Sequence, residues 1–142
     1  MRISDVLRHK GSAVTTVPPY TPMLDLLVLL HQRNIGAVVV TEGGNVVGIV
    51  SERDVVRALC DRGSALLDLA AGDIMTSSVL FCDPQDTVDS LAETMTERRI
   101  RHVPVLDNGR LAGIVSIGDV VKSRITQLEE DRQQLESYIA QG

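Results

Sequence analysis

The sequence repeats itself at an interval of 65 residues, and this duplication restricts the chain to folds built from two copies of one small unit. Residues 18–57 align with residues 83–122 without a gap, and 14 of the 40 aligned positions are identical. The best-matching stretches are GIVSERDVV at 48–56 and GIVSIGDVV at 113–121. We therefore predict two structurally equivalent halves.

Each copy contains the same order of predicted elements, a β-α-β-β-α unit. An extended segment leads into a helix, and two β-rich runs around a short glycine turn then predict a β-hairpin. Thr21 followed by Pro22 is expected to start the first helix of copy one, and Asp86 that of copy two. Ser51 and Ser116 begin the second helices. The predicted strands are 12–17, 37–41 and 46–50 in the first copy and 78–82, 102–106 and 111–115 in the second.

The predicted strands are too hydrophobic to leave either face of a sheet in water, so the two copies should pack sheet against sheet. We predict an α/β fold of two β-α-β-β-α repeats related by a pseudo-two-fold axis. A weaker match of residues 4–7 with 72–75 extends both copies upstream. The predicted boundaries are 3–63 for the first repeat, 72–127 for the second and 121–140 for an extended C-terminal helix.

The composition excludes several classes of function. The chain is 44% hydrophobic and 2% aromatic with a net charge of −5, and this favours an aliphatic core and argues against nucleic-acid binding. Cys60 and Cys82 form no CxxC motif, so we expect free thiols in a reducing compartment. His9, His31 and His102 lack partners at metal-ligand spacing, and no catalytic set is evident. We expect neither an enzyme nor a metal protein.

The N-terminal ten residues are charged, and the longest apolar run is interrupted and far too short to cross a bilayer. We therefore expect a cytoplasmic, soluble protein without a membrane partner.

The motif Gly-Ile-Val-Ser-x-x-Asp stands at the strand-to-helix turn of both copies. Ser51 with Asp54, and Ser116 with Asp119, match a capping box that satisfies the first N–H groups of a helix and needs no ligand. A second interpretation stays open, because the glycine three residues before each Ser leaves room for a close approach to the backbone. A helix N-terminus suits phosphate, and a carboxylate can accept from two ribose hydroxyls.

The duplicated unit, with this box closing each hairpin, resembles a tandem pair of cystathionine-β-synthase (CBS) domains of the small stand-alone bacterial and organellar type. The resemblance rests on IGAVVV at 35–40, GIVSERD at 48–54, RRIRHVPV at 98–105 and SIGDVV at 116–121. It implies two related clefts between the copies, in which the Asp holds ribose, the Ser and basic residues hold phosphate, and the leading strand holds adenine. Site A would comprise Ser51, Arg53, Asp54, Ser78, Val79, Arg101, His102 and Pro104; site B would comprise Ser116, Asp119, Ser12, Ala13, Gly36, Ala37 and Val39.

The two implied sites differ in charge. Site A gathers Arg53, Arg101 and, when protonated, His102, whereas site B has Gly118, Gly36 and Ala37 at the matching positions. We hypothesise that site A prefers phosphate-rich ligands and that site B is weaker or takes a less charged adenosine group.

The C-terminal segment is longer than the repeat requires. Its apolar residues at 121, 125, 128, 135 and 139 follow a 4-3-4-3 helical spacing that is broken only by Arg132, and this favours homodimerisation over packing on its own domain. The predicted function is a regulatory module that senses energy or redox state through an adenine nucleotide and modulates a protein partner. AMP is the favoured ligand, with ATP, ADP, NAD(H) or S-adenosylmethionine as alternatives. A ligand-independent dimerisation module and a nucleotide-processing enzyme are the competing interpretations.

Overall fold

The computed structural model describes residues 1–141, and within them five strands form two sheets, one in each copy. In the first sheet β1 runs parallel to β2, and β2 pairs antiparallel with β3. In the second sheet β4 pairs antiparallel with β5. Both hairpins carry an irregularity at the equivalent step, after Val40 and after Val105. The strands are β1 Thr16–Val17, β2 Ala37–Glu42, β3 Asn45–Ser51, β4 His102–Asp107 and β5 Arg110–Ser116.

The leading strands are shorter than predicted. Only β1 forms in the first copy, and a single parallel bridge between Cys82 and Val105 takes its place in the second. In the second copy the leading strand is short because the residue just upstream, Thr76, pairs with Ile49 of the first copy. The segment between Thr76 and Cys82 therefore passes from the first copy to the second, and it pairs with β4 only at its end.

The helices lie where the hydrophobic pattern places them, with small differences at their starts. Pro22 and Thr87 are the N-caps of the first helices, one residue later than predicted. Thr87 Oγ1 accepts from the backbone N–H of Ser90 at 3.1 Å, while Asp86 accepts from the N–H of Asp83 in the preceding turn. The α-helices are α1 Ile3–Lys10, α2 Met23–Arg33, α3 Glu52–Arg62, α4 Ala71–Ile74, α5 Val88–Arg98 and α6 Ile117–Gln141, and a 3₁₀ helix spans Gly63–Asp68.

The helix that begins each copy in the sequence packs in the hydrophobic core of the other copy. Ile3 and Val6 of α1 pack in the core of the second copy, and Ala71 of α4 packs in the core of the first. The exchange is symmetric, because Leu7 lies against β5 as Met75 lies against β3. Each core thus depends on a helix from the other half of the sequence.

The face of β2 opposite the first core is also buried. Val38 and Val40 belong to that core, so strand alternation turns Ala37 and Val39 toward the other copy. Ala37 is 6% exposed and Val39 is fully buried. The copies pack through their sheets, as the hydrophobicity of the strands predicts.

Candidate functional site

A cleft of about 540 Å³ lies between the two copies, a volume in the usual range for small-molecule sites. The start of α3 forms one wall, and the turn from α5 into β4 forms the other. It brings together most residues predicted for site A: Ser51, Arg53, Asp54, Ser78, Val79, Arg101 and His102. Pro104 does not line the cleft, because it is buried within β4 and its carbonyl accepts from the N–H of Cys82 at 3.1 Å.

Ser51 and Asp54 form a complete capping box at the start of α3. The backbone N–H and the hydroxyl of Ser51 donate to Asp54 Oδ2 at 2.9 and 3.0 Å, and the N–H of Asp54 donates to Ser51 Oγ at 3.3 Å. Asp54 Oδ1 accepts a single bond, from Thr76 Oγ1 at 3.1 Å. Since a carboxylate oxygen has two acceptor positions, the box caps the helix and still presents an acceptor to the cleft.

Five arginines surround the cleft. The sequence identified Arg53 and Arg101 but missed Arg57, Arg98 and Arg99. Arg57 follows Arg53 by one helical turn, and this spacing could have revealed it. Against these five cations the lining contains two carboxylates, those of Glu52 and Asp54. The cleft is therefore strongly cationic, although the chain as a whole is acidic.

Arg99 has an unusual backbone. It ends α5 in the left-handed conformation at φ 54 and ψ 43. The equivalent residue after α2 is Asn34, at φ 51 and ψ 49, and Asn tolerates this region better than Arg. The Arg99 carbonyl accepts from Arg53 Nη1 at 3.3 Å, which links the two walls of the cleft.

The surroundings of His102 favour its neutral form. Its burial lowers the pKa below 6.5; Glu52 and Asp119 oppose this, while Lys10 and Arg101 add to it. The free cleft therefore favours a neutral His102 over the protonated form considered from the sequence. Gly36 faces this imidazole, and a Cβ at position 36 would lie 2.9 Å from His102 Nε2.

At site B the capping box is present, but a lysine lies on it. The N–H of Ser116 donates to Asp119 Oδ2 at 2.8 Å, and the N–H of Asp119 donates to Ser116 Oγ at 3.2 Å. Lys10 Nζ donates to Asp119 Oδ2 at 2.6 Å and to the Ile114 carbonyl at 2.8 Å. Burial alone would raise the pKa of Asp119, but the hydrogen bonds from Lys10 and Ser116 outweigh it and lower that pKa.

The other residues predicted for site B make no hydrogen bond to this box within residues 1–141. Gly36 lines the cleft of site A and faces His102. Ala37 and Val39 are buried in β2, paired with Ser51 and Ile49. Ser12 and Ala13 are exposed between α1 and β1, and no hydrogen bond within residues 1–141 joins them to Ser116 or Asp119.

Within residues 1–141 no group of three or more His, Cys, Asp and Glu side chains is placed to hold a metal ion. Among the helices of the same residues, none combines the length and apolar character needed to cross a bilayer.

The CBS domain family model matches this chain twice, at residues 3–61 and 71–125. A curated relative, the mitochondrial CBS domain-containing protein CBSX3 of Arabidopsis thaliana, is 34% identical over 149 aligned positions, covering 99% of this chain and 72% of that protein.

Solved structures agree. The CBS-domain protein ATU1752 of Agrobacterium tumefaciens is 48% identical with a TM-score of 0.85, covering 87% of this chain and 99% of that chain. The CBS domain pair of protein MJ0100, solved in complex with 5′-methylthioadenosine and S-adenosyl-L-methionine, is 25% identical with a TM-score of 0.76, covering 86% and 98%. Two family matches in tandem, on a fold of two equivalent copies, place this chain in the CBS domain family as a CBS pair.

Proposed function

We propose that site A binds one adenine nucleotide, AMP in the first place, and that its occupancy regulates a partner protein. The observation that carries the proposal is the free acceptor on Asp54 Oδ1 beside five arginines in one cleft. ADP, ATP and NAD(H) share the required chemistry and are the next candidates. The proposed role is regulatory, because a ligand in this cleft would contact both copies and could favour one arrangement of them.

Each chemical group of a nucleotide finds a counterpart in the cleft. Asp54 accepts from the ribose hydroxyls, and the N-terminus of α3 with Arg53 and Arg101 binds phosphate. Backbone groups at Ser78 and Val79 contact adenine. His102, neutral in the free protein, gains a proton as phosphate approaches, because a nearby anion favours the imidazolium form.

The charge of the cleft discriminates among adenosine ligands. Protein MJ0100 was solved with S-adenosyl-L-methionine, whose sulfonium is a cation. Here a cation would meet five arginines and only two carboxylates. Phosphate, in contrast, is the anion that guanidinium groups bind in a bidentate manner. We therefore rank the phosphorylated nucleotides above S-adenosylmethionine.

A ligand in this cleft would join the two copies. Its ribose side contacts α3 of the first copy, and its phosphate side contacts the α5–β4 turn of the second. Occupancy can regulate a partner only if the ligand prefers one arrangement of the two copies over another. The proposal includes a homodimer formed through α6 in a reducing compartment such as the cytoplasm; the thiols of Cys60 and Cys82 are free.

Isothermal titration calorimetry with AMP, ADP, ATP, NAD⁺ and S-adenosylmethionine tests the proposal. We expect one site per chain and tighter binding of the phosphorylated ligands. Asp54→Ala should weaken AMP binding by about 10- to 100-fold, since it removes hydrogen bonds to a charged group. Arg101→Ala should weaken it as well. Arg110→Ala, at the exposed β4–β5 turn outside the cleft, is the matched control and should bind like the wild type.

The complete capping boxes also favour a second candidate function, a purely structural dimerisation module. A thermal-shift series with the same ligands separates the two. A ligand at about 100 times its Kd adds about 2.7 kcal/mol to the stability of the folded state. If no nucleotide raises the melting temperature, the structural module is the better account; consumption of the ligand during the assay would indicate an enzyme.

A further inference from the structure

Lys10 covers the second Ser-x-x-Asp box, because its ammonium pairs with the Asp119 carboxylate and with a backbone carbonyl beside it. Its ammonium group donates to Asp119 Oδ2 at 2.6 Å and to the carbonyl of Ile114 at 2.8 Å. These contacts join residues that are more than a hundred positions apart in the sequence. They fix the end of α1 onto the start of α6.

The equivalent carbonyl and carboxylate of the first copy have a different partner, and it uses the other carboxylate oxygen. The Ile49 carbonyl accepts from the N–H of Thr76 at 2.9 Å, and Asp54 Oδ1 accepts from its hydroxyl at 3.1 Å. Thr76 is neutral and short, so Asp54 keeps its negative charge and borders an open cleft. Lys10, in contrast, places a full positive charge on Asp119.

The side chains of this pair are mostly shielded from water. The Lys10 side chain is 31% exposed and that of Asp119 is 20% exposed. An ion pair of this kind is harder to displace than one on the surface, because an incoming ligand must strip the ammonium from the carboxylate and leave it without a partner. A ribose offers only hydroxyl donors to replace it.

We propose that Lys10 is a specificity-determining residue that restricts the chain to one nucleotide, bound at site A, by pairing its ammonium with the carboxylate that would hold ribose at site B. This inference rests on the proposed function for the meaning of the two boxes. The lysine itself does not touch the nucleotide; it acts through Asp119. Removal of the ammonium group should turn the second box into a working site.

The test is calorimetry with AMP on the wild type and with both AMP and adenosine on Lys10→Met, which keeps the length of the side chain. Adenosine is included because site B lacks arginines. We expect one ligand per wild-type chain and two per Lys10→Met chain. The matched control is Lys122→Met, which removes the other lysine of the chain, exposed on α6, and should leave one.

Further variants assign the added ligand. Lys10→Met combined with Asp54→Ala should bind one ligand at the second box in addition to the weakened site A, whereas Asp54→Ala alone should show only the weakened site A. Adding Asp119→Asn to Lys10→Met should return the count to one. Lys10→Gln, which also removes the charge, replaces Lys10→Met if that variant does not fold.

The outcomes separate this inference from the proposed function. Two ligands on the wild type, or one on both Lys10 variants, would overturn the role of Lys10. No binding by the wild type together with binding by Lys10→Met would overturn the proposed function of site A and support the role of Lys10. No binding by any variant would overturn both.

Discussion

Leu7 of α1 lies so close to Gly113 of β5 that a Cβ on this glycine would come within 2.6 Å of Leu7 Cδ2. Met75 and Gly48 repeat the relationship in the first copy. The sequence shows that both boxes have a glycine three residues before the serine. The structure shows that the space beside each glycine is filled by a side chain packed from the other half of the sequence, and that it is not open to a ligand. The two glycines therefore allow the two halves of the chain to pack closely.

Gly113→Ala should therefore destabilise the protein. The added methyl group overlaps Leu7, and overpacking of this kind costs about 1–3 kcal/mol. Urea unfolding measures the loss, and Leu7→Ala in the same chain should recover part of it, since it removes the clashing methyl groups. Gly118→Ala is the matched control, because a Cβ there meets nothing closer than Ser116 Oγ at 3.6 Å. It should be neutral or stabilising by up to about 1 kcal/mol.

Arg99→Asn should stabilise the fold while it weakens ligand binding. The left-handed backbone at φ 54 costs a residue such as Arg about 1 kcal/mol relative to Asn. The same substitution removes one of the five cations of the cleft. Urea unfolding should show the gain, and calorimetry with AMP should show the loss.

The reverse substitution, Asn34→Arg, is the control for Arg99→Asn. It places an arginine in the same conformation, at φ 51, but away from the cleft. We expect it to destabilise by about 1 kcal/mol with no change in affinity. If Arg99→Asn proved less stable than the wild type, the strain argument would be wrong.

Local patterns were enough to predict most of the fold. The hairpins follow from glycine turns between β-rich runs, and Gly43 and Gly44 adopt the positive φ that such a turn requires. The helix starts at Ser51 and Ser116 follow from the capping box. The exchange of α1 and α4 was not predictable, because the two copies contain equivalent segments and nothing local says which core each one joins.

The residues of the candidate site likewise divide into those that local patterns predict and those that depend on long-range packing. The residues of site A that lie on or beside the motif were found, and Arg57 could have been found by helical spacing. Lys10 could not, since it falls where the first copy is three residues longer and its equivalent in the second copy is undefined. Its contact with Asp119 exists only because α1 packs on the distant half of the chain.

Stability should depend on pH through His102. Burial lowers the pKa of this histidine in the folded state below its ordinary value of 6.5. As the pH falls through 6.5, the unfolded chain takes up a proton that the folded chain does not, so the free energy of unfolding decreases. The decrease ends below the folded-state pKa, where both states are protonated.

Urea unfolding of the wild type and of His102→Gln at pH 7.5 and 5.5 measures this contribution. The wild type should lose more stability over the interval than the variant, because glutamine does not titrate. Equal losses would show that His102 titrates alike in both states. Saturating AMP should reduce the difference, since phosphate near the imidazole favours its protonation in the complex.

The exposed end of α6 is expected to form the dimer. The buried residues of this helix, Val120 and Ser123, lie in its first two turns, and every residue from 128 to 141 is exposed. Several are large and apolar, which is unusual for a helix face that water surrounds. Their exposed fractions are 55% for Leu128, 60% for Leu135, 76% for Tyr138 and 67% for Ile139.

Removal of residues 128–141 should therefore leave the fold and its stability nearly unchanged while it abolishes self-association. Light scattering coupled to size exclusion gives the mass of each form, and urea unfolding at low concentration gives the stability of the monomer. The triple variant Leu128→Ser, Leu135→Ser and Ile139→Ser, which keeps the helix length, should behave like the truncation. A truncated chain that still forms dimers would assign the interface elsewhere, to the exposed apolar residues Leu24, Val28, Val56 and Leu59 of α2 and α3.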